Sequence, residues 1–107
     1  MEKIYYNLGE KKFSIHEIAC LNIVLRESDD NKYTLPEKHE NWMRLCLDML
    51  VLEGILEREI IGSKPTDSWF FTEYGEEFTA IEQIKADINL FAEVAVMGDL
   101  YSRKMYN

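Results

Sequence analysis

The chain has 107 residues, 47% hydrophobic and 30% charged, a size and balance that fit one globular domain over 1–107 and call for neither disorder nor a disulfide scaffold. Twelve basic against twenty acidic residues leave a formal net charge of −8, which opposes any function resting on general attraction to nucleic acid. No apolar run reaches the length of a bilayer span and the first ten residues lack the apolar core of a secretory signal, so a cytoplasmic protein with no membrane partner is expected.

Taken in order, Lys3-Ile4-Tyr5-Tyr6 reads as a short strand before the turn-prone Asn7-Leu8-Gly9. Ser14-Ile15-His16-Glu17 has the form of a capping box, with Phe13 and Ile18 spaced as a hydrophobic staple. From Ile18 to Leu25 only Asn22 is polar. A helix apolar on nearly all sides is buried, so this one should be the central strut. After the polar loop Ser28-Asp29-Asp30-Asn31-Lys32, the triplet Lys32-Tyr33-Thr34 predicts a single strand. Thr34-Leu35-Pro36-Glu37 resembles a second capping box and predicts a helix starting there, either unbroken to Glu53 or broken around His39 to Asn41, where Asn41 can cap a second helix. The next helix, Asn41 to Glu53, places Trp42, Met43, Cys46, Leu47, Met49, Leu50 and Val51 on a wide core face. Glu37, Asn41, Arg44 and Asp48 form its polar stripe.

Gly54 is suited to end that helix. Ile55 to Ile61 and Trp69 to Thr72 then read as two strands of a hairpin with a long tip holding Gly62, Pro65, Asp67 and Ser68. Thr72 is placed to cap a further helix whose first turn carries Glu73, Glu76 and Glu77, the charge sign a helix N-terminus favours. The pattern extends this helix to Met97, with Gly98 as its stop, so that 72–98 would form a rod about 36 Å long. Ile81, Ile84, Ile88, Phe91 and Ala95 follow 3-4-3-4 spacing along it. Such a seam predicts a homodimer; packing against Ile18 to Leu25 within the chain is the equal alternative.

Two stretches carry a family resemblance. Leu50-Val51-Leu52-Glu53-Gly54-Ile55-Leu56 resembles the end of the recognition helix in winged helix-turn-helix regulators of the MarR-like and PadR-like kind. Phe71-Thr72-Glu73-Tyr74-Gly75 is similar to the aliphatic-Thr-x-x-Gly motif that follows the wing there, with Phe in place of the usual Leu. Together they cover about the middle third of the chain, in the right order and separated by one hairpin. The resemblance implies an α+β, mostly helical winged helix-turn-helix domain with a small hairpin wing and a long C-terminal helix. It also implies a dimeric regulator that binds DNA. Asn41 and Arg44 have the chemistry to read base edges, Lys64 sits at the wing tip, and Lys38 and Arg58 are the remaining cations between Thr34 and Thr72. That same segment holds seven acidic residues against those four basic ones. The charges therefore support a second expectation: an acidic winged-helix module or inhibitor that binds another protein and no DNA.

Chemistry beyond binding has no motif to rest on. Cys20 and Cys46 lie in apolar helical runs and should be buried, reduced thiols. His16, Cys20, His39 and Cys46 match no common zinc spacing, so no metal or cofactor is expected. There is no phosphate-cradling Gly loop, His-Glu-x-x-His helix, Gly-x-Ser-x-Gly elbow or Cys-x-x-Cys pair. The chain is not expected to be an enzyme.

Overall fold

Tight turns and helix caps set the course of the chain, whose computed structural model describes residues 5–39 and 41–93. The elements are β1 (Tyr5–Leu8), β2 (Lys11–Ser14), α1 (Ile15–Glu27), β3 (Lys32–Thr34), α2 (Asn41–Leu52), β4 (Leu56–Ile61), β5 (Lys64–Phe71), α3 (Glu73–Ala80) and α4 over residues 82–93. The domain is α+β, with two small antiparallel sheets, β1-β2 and β3-β5-β4. Helices take up 51% of the described residues, so "mostly helical" overstates the balance.

Gly9, at φ +65, is the first central residue of the two-residue turn between β1 and β2, where a type II′ turn takes Gly. Of the strand expected at Lys3 to Tyr6, Lys3 and Ile4 lie outside the described residues; Tyr5 and Tyr6 are in β1, which runs on to Leu8 and pairs with β2. At the end of β2 the expected capping box is formed: the Glu17 amide donates to Ser14 Oγ at 3.2 Å and the Ser14 amide donates to Glu17 Oε1 at 3.2 Å. Ile18, Cys20, Leu21 and Val24 of α1 are buried, as a central strut requires.

The helix predicted from Thr34 and Pro36 does not form. Thr34 Oγ1 lies 2.9 Å from Ser68 Oγ instead of capping, and the Leu35 amide donates to the Asp67 carbonyl at 2.9 Å, which prolongs strand pairing up to Pro36. Among the described residues, α2 is the one helix between β3 and β4, without the preceding helix of a helix-turn-helix.

The hairpin β4-β5 is longer and its tip tighter than its composition suggests. Gly62 and Ser63 alone make the turn, both at positive φ (56° and 71°), as a type I′ turn demands. Pro65 lies opposite Ile60, in the pair after the turn-closing pair of Ile61 and Lys64. Alternation of the ladder turns its missing N–H away from β4, on a side that β3 does not reach. The register then jumps between Arg58 and Ile60, leaving extra β5 residues opposite Glu59. Thr66 fills the gap in bonding: its hydroxyl lies 2.9 Å from Glu59 Oε1 and accepts from the Ser68 amide at 3.2 Å.

The long C-terminal helix is also corrected. It stops at Ala80, where Ile81 adopts extended angles (φ −65, ψ 121), and α4 starts in a new direction. This break carries Ile84, Ile88 and Ala92 into the chain's own interior, at 5%, 0% and 5% exposure. Ile84 lies at Gly9, and Phe91 packs against Tyr6 in a tilted arrangement with ring centroids 4.6 Å apart. Of the five residues expected to face a second copy, Ile84 and Ile88 are therefore core, Phe91 is half-buried against it and Ile81 is exposed. Ala95, Met97 and Gly98 lie outside the described residues.

Candidate interaction surface

What holds α2 in place against the hairpin is a joint made by three residues. Gly54, at φ +78, ends α2 in a Schellman motif, its amide donating to the Val51 carbonyl and the Ile55 amide to the Leu50 carbonyl, each at 3.0 Å. Thr72 caps α3: its hydroxyl accepts from the Gly75 amide at 2.9 Å and donates back to the Gly54 and Ile55 carbonyls, the latter at 3.2 Å. Its amide also donates to the Ile55 carbonyl, at 3.0 Å. Gly75 then lies so close that a Cβ there would be 2.0 Å from the Ile55 carbonyl oxygen. The two sequence stretches Leu50 to Leu56 and Phe71 to Gly75 are thus one structural unit. Thr72→Ala removes both the cap and the tie, and we expect it to cost about 1–2 kcal/mol in urea unfolding. Thr72→Ser, which keeps the hydroxyl, should recover most of that loss.

With its inner side on the core, α2 presents an outer face that is not the expected polar stripe. Asn41 and Asp48 are exposed, but so are Leu45 (66%), Met49 (45%) and Leu52 (80%). Met49 was placed on the core face by periodicity; the structure turns it outward. Leu45, Met49 and Leu52 follow i, i+4, i+7 spacing and so share one side of the helix. The signal was present in the sequence as an excess: α2 is apolar at nine of twelve positions, more than one buried face needs.

The basic residues expected to touch DNA are divided. Arg44 of α2 and Arg58 of β4 converge on Asp67 of β5, with Nη2 atoms 3.0 and 3.4 Å from Oδ1. Arg58 is fixed further by donating from Nε to the Thr66 carbonyl at 2.8 Å and by lying over the Trp69 ring, 5.0 Å from its centroid. Lys38, Asn41 and Lys64 are exposed and form no side-chain bond to this cluster among the described residues. Elsewhere Lys11 pairs with Glu53 at 3.3 Å and Lys32 with Glu59 at 2.9 Å. The bonds from Lys32 and Thr66 hold the Glu59 carboxyl below the usual carboxylate range.

Among the described residues no group of three or more His, Cys, Asp or Glu side chains is placed to hold a metal ion. Cys20 and Cys46 are buried and unbridged, and burial pushes the Cys20 thiol up, away from reactivity. His16 is exposed beside Trp42, while His39 Nδ1 lies 2.7 Å from the Pro36 carbonyl oxygen. No described helix is long and apolar enough to cross a membrane. Comparison of the chain with protein families, curated proteins and solved structures found no match.

Proposed function

We propose that the chain is a winged-helix-like interaction module that binds another protein through the outer face of α2. The winged-helix likeness draws support from the sheet order β3-β5-β4 and from α2 leading directly into the hairpin. It departs from a complete helix-turn-helix in lacking the helix before α2. The observation that carries the functional reading is the trio Leu45, Met49 and Leu52, exposed where a DNA reader would present cations and polar groups. Arg44, the one cation of α2, is already paired with Asp67. A phosphate would have to compete with that carboxylate as well as with a chain charge of −8.

Two measurements test this. Fluorescence anisotropy with labelled duplex DNA at about 50 mM salt should show no binding, because repulsion is then least screened. In parallel, cross-linking in the native cell should recover a protein partner with the wild-type chain. That partner should be lost with the Leu45→Ser/Leu52→Ser double variant, which keeps the charge and alters only exposed positions. Micromolar DNA binding would reverse the reading, above all if Lys64→Ala flattened the slope of log affinity against log salt by about 0.9, the signature of one lost phosphate contact.

A further inference from the structure

Resting on that reading, we infer that the partner presents a cationic amphipathic helix, whose apolar side packs on Leu45, Met49 and Leu52 and whose Lys or Arg residues meet Asp48. The three apolar side chains recur at the spacing by which one helix packs along another. Asp48 is exposed on the same side, three residues after Leu45 and four before Leu52. Its place within the stripe decides between partners. A second copy of the chain, docked about a twofold axis so as to bury all three apolar residues, would bring Asp48 of one copy against Asp48 of the other. Each copy would add a charge of −8. A helix with cations flanking its apolar side turns the same carboxylate into a favourable contact, and the long-range field of the chain draws it in.

The surrounding charges agree. On α2 itself the one cation, Arg44, is already matched by Asp67, so along this helix only Asp48 is left to meet a charged partner. A helix lying along α2 needs no pocket, only a ridge of apolar side chains, and Leu52 stands out furthest at 80% exposure.

The probe is a synthetic amphipathic helix of leucine and lysine, titrated into the full chain with amide shifts followed by NMR and affinity by calorimetry. We expect shifts centred on the amides of α2. Leu45→Ser/Leu52→Ser should weaken affinity about tenfold or more, as loss of anchoring side chains does, and Asp48→Asn should weaken it less and reduce its salt dependence. The same helix built from leucine and glutamate should not bind. Equal binding of the lysine helix to the serine double variant would reduce the effect to bulk charge and overturn the inference. So would shifts lying away from α2, or no binding at all. A wild-type dimer in sedimentation, made monomeric by the serine variant, would assign the face to a second copy. If the lysine helix fails while the serine variant still loses its cellular partner, the module reading stands and only the partner chemistry is wrong.

Discussion

Gly75→Ala should destabilise the domain by about 3–5 kcal/mol, close to the whole stability of a domain this size at the lower end of the usual range. The added methyl would lie 2.0 Å from the Ile55 carbonyl oxygen and 2.8 Å from its carbon. Both are backbone atoms, held by the Thr72 amide on one side and the end of α2 on the other, so neither can swing aside as a side-chain tip would. Helix propensity pulls the opposite way, since Gly to Ala in an exposed helix stabilises by about 1 kcal/mol. The sign of the measured change in urea midpoint therefore separates the two effects. A stabilised Gly75→Ala variant would mean that α3 does not approach Ile55 as described.

Ile88→Glu is the second large effect. Ile88 is fully buried, so the substitution removes its apolar contacts and places a carboxylate in the core, at a combined cost of about 4 kcal/mol or more. The expected product is a chain without cooperative unfolding in circular dichroism. Ile81→Glu is the control: it belongs to the same 3-4 pattern but is 51% exposed, and it should shift stability by no more than about 0.5 kcal/mol. A folded monomeric Ile88→Glu protein made from a dimeric wild type would return the seam to the outside of the molecule.

The features legible in the sequence are those fixed by local chemistry. Ser14 with Glu17, Gly54 and Thr72 each satisfy or release backbone groups within a few residues, and all three stand where their neighbours imply. What escaped was decided by contacts distant in sequence. Thr34 has a capping residue's side chain, yet Ser68, thirty-four residues away, takes its hydroxyl. Ile81 breaks a helix with neither Gly nor Pro to mark it, because Ile84 and Ile88 find the core only if the chain turns. Pro65, Asp67 and Ser68 look like loop residues, but Pro65 falls at a pair whose N–H side faces away from β4, and Arg44 and Arg58 draw Asp67 into the hairpin. On the candidate surface, Arg44 and Arg58 were identifiable as cations, while their capture by Asp67 was not. Met49 illustrates the limit of periodicity: with apolar residues all around α2, the pattern cannot say which of them face out.

The tie through Ile55 also bears on how the molecule opens. Its amide belongs to the end of α2 and its carbonyl to the start of α3. Neither helix end can fray alone, since releasing the Leu50 carbonyl frees the strand start that Thr72 grips, and releasing Thr72 unseats the backbone on which Gly75 rests. Solvent exchange at the amides of Ile55, Thr72 and Gly75 therefore reports a single cooperative event rather than three local ones. The outer face of α2, resting on that event, keeps its shape for as long as the joint stays closed.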